Sequence, residues 1–177
     1  MAIVEHFVLP PTTYVPNNKL PVIVYRDVLP EPHAEDSTTQ FLEANKWQKK
    51  GFWPGTEVHH FHPNTHECYG VVVGTTTMLV GRGQLDGSSG GQTIALRAGD
   101  VIVIPAGVSH MNVTMTEDYR FVGVYPDGSP QWTSQRCDKL GIMTELKNEI
   151  SCVPLPAADP VEGEGGTLIK LWSSSES

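Results

Sequence analysis

Apolar and polar positions along the chain fall mostly into short runs of strand length, broken by glycine and proline. Leu20-Pro-Val-Ile-Val-Tyr25 is rich in β-branched residues and predicts a first strand. Residues 57–62, 68–73, 77–80, 93–96, 101–104 and 120–125 read as further strands separated by Gly-rich turns, a pattern that predicts a sandwich or barrel. From Asp36 the period changes. Asp36, Ser37 or Thr38 can cap a helix, and Phe41, Leu42, Ala44 and Trp47 follow at helical spacing until Gly51. That apolar stripe is core packing rather than a ligand box. Residues 85–91 form a flexible hairpin loop, and no Gly-Lys-Ser/Thr follows to make it a phosphate-binding loop.

The ends are less regular. Residues 1–19 are punctuated by proline and asparagine and read as an extended arm over the surface. Beyond Pro126-Asp-Gly128 a short helix is expected over 144–149, and Val153-Pro-Leu-Pro156 cannot be a central strand. We therefore expect one domain over 1–177, with barrel motifs at 54–125, a C-terminal wrap at 126–172 and a mobile tail at 173–177.

Composition narrows the function. Seventeen Gly and 14 Pro among 177 residues, with 18% charged side chains, suit a β fold and exclude a long coiled coil. A net charge of −8 without a basic cluster makes nucleic acid an unsuitable partner. No run approaches the ~20 apolar residues that span a bilayer, and the N-terminus lacks the basic region of a signal peptide. Cys68, Cys137 and Cys152 are odd in number and irregularly spaced, which favours a reducing compartment, the cytoplasm, over a disulfide framework.

Four of the seven histidines lie at 59, 60, 62 and 66. On a strand, His60 and His62 project to one face and His59 and Phe61 to the other. Pro63-Asn64-Thr65 supplies a turn, after which Glu67 can face back toward the two imidazoles. His110 follows a strand and a tight turn that can return it to the same interior. His66 could replace Glu67, but alternation places the two on opposite faces and favours Glu67. By the same alternation Cys68 is buried packing, while His59 is exposed or supports the site from behind. Asp100 reads as a turn residue. The alternative is that these histidines only satisfy core hydrogen bonds.

The full spacing runs His60-x-His62, four residues, Glu67, six residues, Gly74. After a gap of 24 residues it continues with Gly99, five residues, Pro105-x-Gly107, two residues, His110. This resembles the two motifs of the cupin superfamily. The stretches 20–25, 62–67, 103–110, 123–128 and 153–160 are further similar to the small single-domain cupins of the YjlB type. The resemblance implies an all-β double-stranded β-helix, a jelly-roll barrel, with one or two short peripheral helices. It also implies one divalent metal ion held by His60, His62, Glu67 and His110. Two positions depart from the pattern: Pro54 stands where the first motif has glycine, and Thr114 where the second has asparagine. Neither supplies a ligand.

Three imidazoles and a carboxylate suit Fe, Mn, Ni, Co or Zn, and the absence of thiolate argues against a structural zinc knot. Tyr69, Val71, Asn112 and Thr114 are expected to line a pocket for a small organic molecule. The resemblance favours an oxidoreductase, a dioxygenase or oxidase. A metal-assisted isomerase, epimerase, cyclase or lyase comes second, and a non-catalytic small-molecule or metal-binding module third. By resemblance and exposed strand edges, a homodimer is a further expectation.

Overall fold

The structure is a computed structural model and describes residues 3–88 and 90–175. Along the chain run β1 (Ile3–Leu9), β2 (Asn18–Arg26), α1 (Glu35–Glu43), β3 (Trp47–Trp53), β4 (His60–Phe61), β5 (Glu67–Val73) and β6 (Thr75–Val80). Then come β7 (Gln92–Arg97), β8 (Val101–Ile104), β9 (His110–Met115), β10 (Arg120–Pro126), β11 (Gln135–Arg136), α2 (Met143–Ser151) and α3 (Thr167–Ser175).

A six-stranded sheet has the order β1-β2-β8-β5-β10-β3, and a five-stranded sheet the order β11-β4-β9-β6-β7. The chain crosses from one sheet to the other at nearly every step between β4 and β10, which makes a double-stranded β-helix. All strand pairs are antiparallel.

Alternation along the six-stranded sheet feeds two cores. Val22, Val24, Tyr69, Val71, Ile102, Ile104 and Phe121 face the barrel interior, where Met78, Val80, Ile94 and Leu96 meet them from the other sheet. Ile23, Tyr25, Cys68, Val101, Val103, Val122 and Val124 face outward, under Leu42, Trp47, Leu168 and Trp172. A sheet buried on both faces explains why β2 and β8 read as unbroken apolar runs. The outer layer is pinned by polar contacts as well. Trp172 Nε1 donates to the Pro21 carbonyl at 3.0 Å, and Trp47 Nε1 to the Ala158 carbonyl at 2.9 Å. Asp159 accepts from the Tyr25 hydroxyl at 2.5 Å and from the Leu168 amide at 2.8 Å, which seats the start of α3.

Several expected boundaries move. The helix ends at Glu43, and Trp47 opens β3 instead of closing the helix. Lys46 adopts a positive φ of 63°, outside helical space, so the chain reverses there. The extended arm contains β1, which pairs with β2 as an edge strand. The strand expected over 57–62 shrinks to His60–Phe61. The C-terminal region carries two helices, α2 over the expected site and α3, a third helix that was not expected. Residues 173–175 of the expected mobile tail are its last turn, and 176–177 lie outside the described residues. Among the described residues, no helix is long and apolar enough to cross a membrane.

Candidate metal centre

The four motif residues reach one place because three short elements end there. His60 in β4 pairs directly with His110 at the start of β9. His62 lies two residues on, and its carbonyl accepts from the Gly107 amide at 2.8 Å, which ties the turn before β9 to the end of β4. Gly107 has φ of 85°, and a Cβ there would stand 2.4 Å from Ile150 Cδ1, so this turn requires glycine. Glu67 opens β5 on the interior face, two residues before Tyr69.

The imidazole centroids of His60, His62 and His110 are 4.3–5.6 Å apart. One ring nitrogen from each lies within 4.8 Å of the others. Glu67 stands beside this group, with Oε2 3.3 Å from His62 Nε2 and 3.2 Å from His110 Nε2. The His110 contact is not aligned for hydrogen bonding, so this Nε2 is buried without a hydrogen-bond partner. Each Nδ1 faces a main-chain carbonyl: Val58 at 2.8 Å for His60, Thr133 at 2.8 Å for His62 and Val108 at 3.2 Å for His110. A carbonyl only accepts, so each Nδ1 carries the proton and a neutral ring keeps its lone pair on Nε2.

Both Glu67 oxygens are held by tyrosines. Tyr69 donates to Oε2 at 3.0 Å and Tyr125 to Oε1 at 2.5 Å. Burial alone would raise the Glu67 carboxyl, but the imidazoles of His62 and His110 outweigh it and hold it well below the usual range. Burial lowers His62, and the Glu67 charge and Thr133 carbonyl reverse this to a net rise. Burial and the neighbouring His110 push His60 down to about 3. Burial and the Glu67 charge raise both tyrosine hydroxyls.

Beside the cluster lies a cavity of about 380 Å³. His60, His62 and Glu67 form its floor, Pro54-Gly55-Thr56 and Ser134 part of its rim, and Trp53, Tyr69, Phe121, Tyr125 and Trp132 its walls. The stretch bearing Trp132 and Ser134 is held by the Asn64 amide. That side chain donates to the Gln131 carbonyl at 2.9 Å and accepts from the Thr133 amide at 3.0 Å.

Residues 55–146 match the family model described as Cupin. The chain belongs to the cupin family. This cupin is 30% identical over 170 residues to the uncharacterized protein YjlB of Bacillus subtilis (strain 168), covering 95% of this chain and 96% of that one. Among solved structures it is similar to oxalate decarboxylase from Bacillus subtilis, at 19% identity and a TM-score of 0.33, covering 66% of this cupin and 23% of that chain. It thus spans under a quarter of the length of that structure. It is also similar to RmlC from Streptococcus suis in complex with dTDP-D-xylose, at 14% identity and a TM-score of 0.37, with 72% of each chain covered.

The expected pocket residues separate. Tyr69 lines the cavity, but Val71, Asn112 and Thr114 do not. Val71 lies in the packed interior with Met78 and Phe121. Asn112 is spent on structure: its Oδ1 accepts from the Thr56 amide and its Nδ2 donates to Thr76 Oγ1, both at 2.8 Å. Beyond it a bulge in the β6–β9 pairing breaks the alternation, and Thr114 turns outward into a separate groove with Arg26, Thr77 and Arg97.

Other singled-out residues lie away from the cluster. His66 is buried on the opposite side and accepts from the Ala106 amide at 3.0 Å. His59 Nδ1 meets the Arg82 carbonyl at 2.9 Å. Cys68 is in the outer core. Asp100 accepts from Arg26 and from the Asp27 and Arg97 amides, which closes the turn into β8. Sequence reasoning missed Tyr125 as a cavity residue and left Trp53 and Trp132 open between the barrel entrance and the core; both line the cavity. The signal for Tyr125 was only an aromatic residue flanking the Pro126-Asp-Gly128 turn.

Proposed function

We propose that this cupin holds one divalent metal ion through His60, His62, Glu67 and His110, and acts as an oxidoreductase of dioxygenase or oxidase type on a small molecule in the adjoining cavity. One observation carries the reading: three Nδ1 groups are committed to main-chain carbonyls, which leaves three clustered imidazoles their other ring nitrogen, with Nε2 of His62 and of His110 at the Glu67 carboxylate and that of His110 buried and unpartnered. Fixing Nδ1 so that Nε2 ligates is the usual outer support of metal-bound histidine. The donors suit Fe, Mn, Ni, Co or Zn. When bound, such an ion supplies Lewis acidity and, if redox-active, electron transfer to a ligand at its open positions.

The chain's own groups set the conditions. Glu67 brings the one formal negative charge, and the Tyr69 and Tyr125 hydroxyls fix both its oxygens. The walls of the cavity are aromatic. Apart from the proposed ligands, the polar side chains lining the cavity, among the described residues, are the hydroxyls of Thr56, Tyr69, Tyr125 and Ser134. The two tyrosines stay protonated near neutral pH. An isomerase or lyase needs a group that takes a proton, and none of these is a ready base, which supports oxidation over proton shuffling. The reading treats 1–177 as one unit, since residues 131–134 complete a cavity begun by 54–125. All three cysteines are free thiols, which fits the cytoplasm.

The test is elemental analysis of protein purified anaerobically without chelator, wild type beside His62→Ala, followed by oxygen-uptake screens. Near-stoichiometric iron, manganese or copper, lost in the variant, with substrate-dependent oxygen uptake, supports the proposal. Turnover without oxygen turns it into the isomerase or lyase reading. No metal in either protein after reconstitution overturns it and leaves a metal-free binding module.

A further inference from the structure

The cavity wall is more specific than a general apolar surface. Tyr125 and Trp132 stack with ring centroids 5.1 Å apart and planes 11° from parallel. Trp53 meets Trp132 edge-on at 5.8 Å and Phe121 edge-on at 6.1 Å. Phe121 in turn lies 3.9 Å from Tyr69. Five aromatic rings thus form one continuous wall that ends at the Glu67 carboxylate. The backbone is shaped to admit it: a Cβ on Gly51 or Gly123 would lie 2.0 or 2.4 Å from the Trp53 indole. Trp53 and Trp132 are partly exposed, so their rings have surface left to cover.

The charge pattern is equally one-sided. Among the described residues, no lysine or arginine lines the cavity, and Glu67 is its one carboxylate. With a divalent ion bound, the site would carry about one positive charge. A ligand with a single negative charge neutralises that, whereas a dianion would leave a desolvated charge without a partner. The net charge of −8 also disfavours approach of polyanions. A volume of about 380 Å³ holds roughly a dozen water-sized groups of about 30 Å³ each.

From these observations we infer the substrate class: a planar aromatic molecule of about one ring, carrying one oxygen-donor group for the metal and at most one negative charge. This rests on the metal reading above. The donor group reaches the cluster floor, and the ring lies against Trp53, Trp132 and Tyr125, where aromatic contacts add to apolar burial.

The test is calorimetric titration of protein reconstituted with redox-silent Zn(II), using three probes. Catechol has the ring and the oxygens, trans-cyclohexane-1,2-diol the oxygens without the aromatic ring, and oxalate two charges without a ring. Catechol is expected to bind at least about tenfold more tightly than either. Trp132→Leu should weaken catechol about tenfold while leaving zinc content unchanged. Equal affinity for the cyclohexanediol, or tighter binding of oxalate, overturns the inference, and this rests on wild-type protein alone. Zinc measured on the same samples separates the two readings. Zinc bound without ring preference removes only the substrate class. No zinc bound, with catechol still preferred by the metal-free protein, removes the metal reading and leaves the aromatic site standing.

Discussion

At the start of β5, neighbouring residues face two different interiors. Glu67 and Tyr69 look into the barrel, while His66 and Cys68 look into the layer beneath α3. His66 is as buried as His110, yet its hydrogen bonding is reversed. Its Nδ1 accepts from the Ala106 amide at 3.0 Å, so the proton of the neutral ring sits on Nε2, and the ring packs beside Trp172 with centroids 4.6 Å apart. Neither nitrogen keeps a free lone pair. Burial pushes its pKa down to about 4, which keeps it neutral. On the barrel side the carbonyls of Val58, Thr133 and Val108 take the Nδ1 protons and leave Nε2 free. Proximity in sequence or depth of burial does not distinguish His66 from the three proposed ligands. The direction of one hydrogen bond does, although His59, outside the cluster, shares the cluster's direction toward the Arg82 carbonyl.

The sharpest way to break this comparison is to remove groups from each side. His62→Ala and Glu67→Ala should each drop metal from about one per chain to near zero while the β circular dichroism persists. His66→Ala should retain metal in the folded protein, and the opposite pattern would reverse the assignment. On the outer side, Trp172→Ala should cost about 3–5 kcal/mol in urea unfolding, through the cavity it leaves under α3. Added metal at about 100 times its Kd should stabilise wild type by ~2.7 kcal/mol, or roughly 5–10 °C in Tm for a chain of this size. His62→Ala should show no such shift. Tyr125→Phe removes one of the two hydroxyls on Glu67 and should weaken metal binding about 10–100-fold without abolishing it, read by competition with a chelating dye. Thr114→Ala, pointing into the separate groove, should change stability by less than about 0.5 kcal/mol and leave metal content alone.

How much of this was legible depends on what kind of force shaped each segment. β2, β5 and β8 are buried on both faces, so their apolar runs announce them. The histidine spacing is a local signal, and alternation alone separates Glu67 from His66. β1 was opaque because an edge strand with Ile3 and Val8 exposed has no clean inward stripe. Trp47 falls at helical spacing from Glu43 and Ala44, and only the positive φ of Lys46 and the pocket under Ala158 make it a strand residue. In α3, Leu168 and Trp172 are four apart and both buried, but the serines that follow mask the helix. The cavity wall was the least legible part. Asn112 and Thr114 obey alternation until a bulge shifts the phase, and Trp132 arrives through a loop that Asn64 grips across 67 residues of chain.

The choice of main-chain carbonyls as partners for the three imidazoles has an evolutionary consequence. Every amino acid offers the same carbonyl, so substitutions at Val58, Val108 and Thr133 need not disturb which ring nitrogen is free. The rim and walls around the cluster can therefore diverge toward new small molecules while the histidines keep their proton arrangement. A lineage built on this plan can reshape the cavity without rebuilding the three imidazoles.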